Sequence, residues 1–104
     1  MNIDFYQSRA MSYRLDTANE IYALLNLGGE IGEVMSLVAK FIRDGGDMGE
    51  YKKNMAKELG DIMWMVAAVA KDHNLSLSDI CTQNLDKLES RKIRDVIQGS
   101  GDNR

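Results

Sequence analysis

The 104-residue sequence has no proline and only one cysteine. Proline is the strongest helix breaker, so its absence favours a chain that is helical throughout. Because Cys81 has no second cysteine to pair with, nothing indicates an oxidising compartment. The sequence also lacks an N-terminal leader pattern, and its longest apolar run, from Ile62 to Ala70, is far shorter than the ~20 residues of a membrane helix. We therefore expect a cytoplasmic protein that does not engage a membrane.

The charge balance is slightly acidic, with 13 basic and 16 acidic residues and a net charge of −3. This balance does not favour a nucleic acid polymer as partner, because a polyanion would be repelled. A small anionic substrate would need a local device such as a metal ion, a basic cluster or a helix N-terminus. A chain of this length also buries only a modest core, so association of several copies would help its stability.

Apolar residues recur at helical spacing over four segments. We predict helices from Ile3 to about Met11, from Thr17 or Asn19 to Ile42, from about Glu50 to Asp72, and from a cap at Ser76 or Ser78 as far as Val96. Gly45 and Gly46 end the second helix, so the second and third helices should form an antiparallel hairpin. The predicted class is all-α: a helical hairpin with flanking helices over residues 1–98, completed by oligomerisation. A polar, glycine-rich tail, residues 99–104, should be disordered unless a ligand or a neighbouring segment holds it.

Two pairs of acids have the i, i+3 spacing that places side chains on one helix face: Glu30 with Glu33, and Glu58 with Asp61. Glu30 and Glu58 lie about 80° and 70° from the centres of their apolar stripes, in the same rotational sense. The four positions average to the Gly45–Gly46 turn, so an antiparallel hairpin brings both pairs to one height. We therefore expect four carboxylates to converge on one groove. Such a cluster repels itself until a hard cation binds, and oxygen ligands suit Mg²⁺ or Mn²⁺.

Each acidic pair alone is more often a solvated helix face than a metal site. A di-iron bundle site is not favoured, because it needs Glu-x-x-His motifs and the sequence has none. Among other residues, His73 suits a helix C-terminus without any chemistry. Cys81 is expected as a small core residue, and Trp64 in the core or a subunit interface.

Around these acids the sequence resembles the MazG-like members of the all-α nucleoside triphosphate pyrophosphohydrolase superfamily, which also includes dCTP pyrophosphatases and dimeric dUTPases. The resemblance consists of an ExxE motif at Glu30 and Glu33, an ExxD motif at Glu58 and Asp61, and two downstream segments. These segments are the NxxKxxxR-like run with Asn84, Lys87 and Arg91, and the ending Gly99 to Arg104. Many relatives have EExxE, where this chain has Gly29 in place of the first acid. The number of metal ions therefore stays open.

The resemblance implies hydrolysis of a (d)NTP to the monophosphate and pyrophosphate. The second half of the third helix is apolar nearly all round, which favours a homo-oligomer, either a dimer or a tetramer. The resemblance also implies Mg²⁺, or Mn²⁺ as a substitute, held by Glu30, Glu33, Glu58 and Asp61, with Glu33 activating the water. The candidate substrate and phosphate contacts are Lys40, Asn84, Lys87, Arg91, Asp102, Asn103 and Arg104. The alternative is a non-enzymatic helical adaptor, which would keep the apolar surface and leave the acids as surface charge.

Overall fold

Four helices account for most of the chain: α1 (Ile3–Met11), α2 (Glu20–Asp44), α3 (Met48–Asp72) and α4 (Leu77–Ile93). The structure, a computed structural model, describes residues 1–18 and 20–104, except for the side chain of Glu20. These described residues contain no strand, which confirms the predicted all-α class. The predicted bounds of α1 are confirmed. The predicted start of α2 at Thr17 is wrong, because Thr17 lies in a turn, and Asn19 lies outside the described residues.

Side-chain caps set where the other helices begin. The Asp47 carboxylate accepts the backbone N–H of Glu50 at 2.8 Å, so α3 starts at Met48, slightly earlier than predicted. Ser76 caps α4 by accepting the N–H of Asp79, as one of the two predicted alternatives. The predicted extension of α4 to Val96 is wrong. Asp95 adopts a φ of 56°, and the Val96 N–H turns back to the carbonyl of Arg91.

Helices α2 and α3 form the predicted antiparallel hairpin around Gly45 and Gly46, whose φ values of 70° and 124° favour glycine. The Phe41 and Tyr51 rings stack with centroids 4.2 Å apart. Nearer the open end, Asn26 Nδ2 donates to Met65 Sδ at 3.7 Å. Because both contacts join positions equidistant from Gly45–Gly46 to within a residue, the register is the one predicted.

The helices meet along rows of buried and half-buried residues that recur every three or four positions, which we call the inner seam. Its members are Ala23, Leu27, Glu30, Val34, Leu37 and Phe41 on α2, and Tyr51, Met55, Glu58, Ile62, Met65 and Val69 on α3. Such spacing is typical of helices packed side by side. Two acids, Glu30 and Glu58, are therefore built into the contact between the helices.

A second row on α2 has the same spacing but faces away from α3, and we call it the outer seam. Its members are Leu24, Gly28, Ile31, Met35, Val38 and Ile42. Helical spacing alone does not separate the two rows, which lie about 100° apart on the helix. Leu24 is 58% exposed and Ile42 is 79% exposed, so these residues do not pack against α3.

Helix α1 lies across α3 and also contacts the start of α4. Ala67, Ala70 and Leu77 form a small core there. The buried Gln7 joins three segments: its Nε2 donates to the carbonyls of Ala67 and Leu75, and its Oε1 accepts the N–H of Leu77 at 3.0 Å. This core fixes the free end of the hairpin, far from the Gly45–Gly46 turn.

Three other side chains were given roles from sequence alone. Trp64 is half-buried and donates from Nε1 to the carbonyl of Ala10 on α1 at 3.0 Å. His73 caps α3, with Nδ1 2.7 Å from the carbonyl of Val69. The prediction of a core position for Cys81 is wrong, because its side chain is exposed one residue after Ile80, which packs on the core.

One helix segment, Ile21–Asp44 of α2, is long and apolar enough to span a bilayer by length and composition alone. Glu30 and Glu33 lie near the middle of that segment, and a charged residue there costs ~2.5–3.5 kcal/mol on insertion. Contact with α3 along the inner seam accounts for part of the apolar character of the segment, and the two acids disfavour its insertion into a membrane.

Candidate functional site

Three of the predicted acids come together near the middle of the hairpin. Glu30, Glu58 and Asp61 each offer a carboxylate oxygen, and these oxygens all lie within 4.8 Å of one another. Glu30 and Glu58 are half-buried in the inner seam, and Asp61 is exposed on its flank. Because the register pairs the height of Glu30 with that of Asp61, two short helical motifs meet as one cluster.

The fourth acid, Glu33, lies outside this group of three. Position 33 is about 60° further round α2 than Glu30, which turns its side chain to solvent. Glu33 still acts on the cluster, since its charge is one of those that raise the pKa of Glu30.

The electrostatics of the cluster disfavour a charge on Glu30. The pKa of Glu30 is raised, first by partial burial and then by the charges of Asp61, Glu58 and Glu33. A dication at the three oxygens would remove this repulsion. A donor set made only of carboxylate oxygens fits Mg²⁺ or Mn²⁺ and does not fit a soft metal.

A groove of about 340 Å³ opens beside the cluster, between α1 and α3. Its lining is mostly apolar and consists of Met1, Asn2, Ile3, Tyr6, Gly60 and Met63. The pKa of Tyr6 is raised by partial burial and by the charge of Asp61, so the phenol lies within electrostatic range of the cluster. A Cβ at Gly60 would meet nothing within 4 Å, so the missing side chain keeps the groove open. Sequence reasoning missed Tyr6, because no spacing rule relates residues so far apart.

Lys40, a weaker phosphate candidate, lies near the hairpin turn instead. It lines a hollow there with Phe41 and Tyr51. Its charge lowers the pKa of Asp44, although the hydrogen bond from Arg43 contributes more. Lys40 is seven residues beyond Glu33, or ~10 Å along the helix. The structure therefore does not bring it to the carboxylates.

The cations of α4 have an anion of their own chain between them. Lys87 Nζ lies 2.9 Å from Asp102 Oδ1, and Arg91 Nη2 lies 3.1 Å from the same oxygen. Arg91 Nη2 also donates to the Asp102 carbonyl at 2.7 Å. Asn84, one turn earlier, is exposed.

The tail folds back on the segment after α4, and its last residue is held at several points. The Arg104 guanidinium donates to the carbonyls of Val96, Ile97 and Gly101, and Arg94 Nη1 donates to the Arg104 carbonyl at 2.7 Å. Asn103 is exposed. A role of these tail residues in substrate binding stays a prediction.

Comparison with known proteins agrees with this arrangement. The family model of the MazG nucleotide pyrophosphohydrolase domain matches residues 19–94, which include all three acids of the cluster and the α4 cations. The chain is 40% identical over 114 residues to "Gene 37 protein" of Mycobacterium phage L5, with 100% of both chains covered. No solved structure matches the chain. Since the family model covers the hairpin and most of α4, the chain belongs to the MazG nucleotide pyrophosphohydrolase domain family.

Proposed function

We propose that the protein is a Mg²⁺-dependent hydrolase that converts a (d)NTP to the monophosphate and pyrophosphate. The observation that carries the proposal is the meeting of Glu30, Glu58 and Asp61 oxygens within 4.8 Å, in a chain of the MazG family. An acidic cluster in the seam of a small hairpin destabilises the fold, so it is better explained as a binding site than as surface charge.

Glu30, Glu58 and Asp61 would hold the ion, with Glu33 at the open edge as the fourth predicted ligand. Bound Mg²⁺, or Mn²⁺ in its place, supplies a Lewis acid that draws charge from the phosphate oxygens. Because Glu33 is exposed and outside the closest group, its carboxylate is available to accept a proton from the attacking water. The water oxygen bonds to the α-phosphorus as the anhydride bond to the β-phosphate breaks, and the proton passes through Glu33 to solvent.

The chain also has groups suited to the two ends of a nucleotide. Lys87 and Arg91, with Asn84 on the same face of α4, can neutralise charge on the phosphates, whereas Lys40 is placed less well. The apolar groove beside Asp61 has room for a nucleobase, and the Tyr6 ring offers it a flat surface. The base and sugar preferences would then depend on α1, which lies outside the family match.

Activity and metal binding test the proposal together. We expect pyrophosphate release from at least one nucleoside triphosphate with Mg²⁺, measured across all common NTPs and dNTPs. Glu30→Gln and Asp61→Asn should lose this activity while keeping the helical circular dichroism of the wild type. Full activity in either folded variant would refute the site assignment. An absence of Mg²⁺ binding in calorimetry, or binding that Glu58→Gln does not change, would favour the helical adaptor instead.

The outer seam supports the homo-oligomer that the sequence predicts. Leu24, Ile31, Met35 and Ile42 form one exposed apolar row, and spacing of this kind is typical of helix-to-helix contacts. A Cβ at Gly28 would meet nothing within 4 Å of this chain, so the glycine leaves room for another helix to approach. We propose that α2 packs on α2 of a second copy, as a dimer or as half of a tetramer.

Sedimentation velocity distinguishes this arrangement from a monomer. Met35→Lys should reduce the sedimentation coefficient, because it places a charge in the middle of the proposed contact. Leu85→Lys on α4 is a matched control, since the exposures of Met35 and Leu85 are 67% and 66%. A monomeric wild type at micromolar concentration, or equal effects of both variants, would contradict the α2 interface.

A further inference from the structure

The C-terminal segment, residues 99–104, folds back against α4. We call it the latch. Asp102 is its contact with the helix, and one of its carboxylate oxygens accepts hydrogen bonds from both Lys87 and Arg91. The hydrogen bonds from these two cations are the main causes that lower the pKa of Asp102. An anion thus lies where the proposed function would place a phosphate.

The two sides of this contact differ in burial. The Arg91 side chain is only 7% exposed, whereas that of Asp102 is 79% exposed. A buried guanidinium needs an anion or another acceptor, because leaving its charge unpaired is costly. An exposed carboxylate loses little when it moves into water, since its solvation replaces the contact. Asp102 is therefore the replaceable partner, and a second anion can take its place at Arg91.

The rest of the latch is held without any group from the carboxylate cluster. Arg104 Nε donates to the Val96 carbonyl at 2.9 Å, and its Nη2 donates to the Ile97 carbonyl at 2.8 Å. Gly99 and Gly101, with φ values of 143° and 86°, allow the sharp turns between them. These bonds bring Asp102 back to α4 and so raise its effective concentration at the two cations.

We propose that Asp102 is an internal competitor: its carboxylate occupies Lys87 and Arg91 in the free protein and leaves when a phosphate group binds there. The identity of that phosphate as part of a nucleoside triphosphate rests on the proposed function. The competition itself concerns any small phosphate anion. Removing a competing tail should raise the affinity for phosphate, whereas removing a tail that closes over the substrate should lower it.

The test measures binding of inorganic pyrophosphate to the full chain by calorimetry, in a buffer with a metal chelator. Without metal the carboxylate cluster repels pyrophosphate, so the measurement reports on the α4 cations. Asp102→Asn should tighten binding about threefold to tenfold, because the variant removes one competing charge-assisted contact. Asp95→Asn is the matched control: it removes the same charge beside the same segment, and asparagine tolerates the φ of 56° at that position.

Two further variants keep the outcome decisive. Arg104→Gln loosens the latch from its other end and should tighten pyrophosphate binding in the same direction. Adding Lys87→Gln to Asp102→Asn should remove the gain. Equal or weaker binding in a folded Asp102→Asn, or an equal gain in Asp95→Asn, would overturn the latch.

The failure of either proposal can be told apart from failure of the other. Tighter pyrophosphate binding in Asp102→Asn, with no nucleotide hydrolysis by the wild type, would support the competition by Asp102 and refute the hydrolase. Hydrolysis by the wild type, with pyrophosphate binding unchanged in Asp102→Asn, would support the hydrolase and refute the competition by Asp102.

Discussion

Asp61→Asn should stabilise the metal-free protein even though it removes a proposed metal ligand. The carboxylate oxygens of Glu30, Glu58 and Asp61 lie within 4.8 Å of one another, and the pKa of Glu30 is raised first by burial and then by the neighbouring charges. Replacing Asp61 by its neutral isostere removes two of the three repulsive pairs. The variant site would then carry less electrostatic repulsion, but it could no longer bind the metal ion.

The size of the effect follows from the distance. Two unit charges 4.8 Å apart repel by about 0.9 kcal/mol at the dielectric constant of water. The two lost pairs set a scale of about 2 kcal/mol, which salt and solvent exposure reduce to about 1 kcal/mol. For a domain of this length, that change raises the melting temperature by about 4–8 °C.

Magnesium should reverse the order of stability. A ligand that binds only the folded state adds about 2.7 kcal/mol at a concentration one hundred times its dissociation constant. The wild type should gain this stabilisation and Asp61→Asn should gain little of it. Thermal melting followed by circular dichroism, with chelator and then with excess MgCl₂ at one protein concentration, gives both comparisons.

Asp86→Asn provides the control, because it makes the same charge change at an exposed position on α4. It should melt close to the wild type in both buffers. The electrostatic reasoning is refuted if Asp61→Asn is no more stable than the wild type in chelator. The metal assignment is refuted if MgCl₂ stabilises both proteins equally.

Three further predictions concern the rest of the fold. Asp72→Asn should cost about 1.5–3 kcal/mol at neutral pH, because it breaks the hydrogen-bonded ion pair with Arg14 at 2.7 Å. The hydrogen bonds from Arg14 hold the pKa of Asp72 below its ordinary value of 3.8 in the folded state. The stabilisation is therefore present above pH 3.8 and is lost as the pH falls through the folded pKa. Urea unfolding at several pH values should show that the difference in unfolding free energy between the wild type and Asp72→Asn shrinks in acid. Gly60→Ala should raise the melting temperature, since alanine is favoured in a helix by up to ~1 kcal/mol, but should raise KM because its methyl group enters the groove; a lower melting temperature would show a packing role for the glycine. Gln7→Leu should destabilise the protein by more than the ~1 kcal/mol of one hydrogen bond, because it leaves the Leu77 N–H unpaired and removes the side-chain bonds to the Ala67 and Leu75 carbonyls. A loss below ~1 kcal/mol in denaturant titration would contradict this role.

The sequence sufficed for the features that depend on local periodicity. The bounds of α1 and the cap of α4 at Ser76 follow from local signals, and the hairpin register follows from counting to Gly45–Gly46, so Glu30 and Asp61 could be placed at one height. The split of α2 into two seams was missed. The inner and outer seams have the same periodicity. Only the position of α3 determines that Leu27 is half-buried and Leu24 is exposed.

Long-range contacts escaped sequence reasoning for a different reason. Tyr6 approaches Asp61 only because α1 crosses α3, and that crossing depends on Gln7 reaching the start of α4. The latch was missed because a short glycine-containing tail is usually frayed, whereas here Asp102 contacts α4 and Arg104 donates to the Val96 carbonyl, in the segment that follows α4. Neither feature has a spacing that could be read along the chain.

Several glycines that lower the stability of α2 and α3 lie near the carboxylates, which suggests that they serve the proposed function. Glycine inside a helix costs roughly 1 kcal/mol relative to alanine, yet a Cβ at Gly28, Gly32 or Gly60 would meet nothing within 4 Å. Packing within the chain therefore does not explain them. Gly28 lies in the outer seam and Gly60 in the groove, where the proposed second copy and the proposed nucleotide would approach. The half-buried Glu30 adds an unfavourable charge in the inner seam, where the proposed metal ion would bind. The residues that weaken the isolated hairpin are thus concentrated where ligands would bind, so binding of metal, nucleotide and a second copy should restore the stability that the free chain lacks.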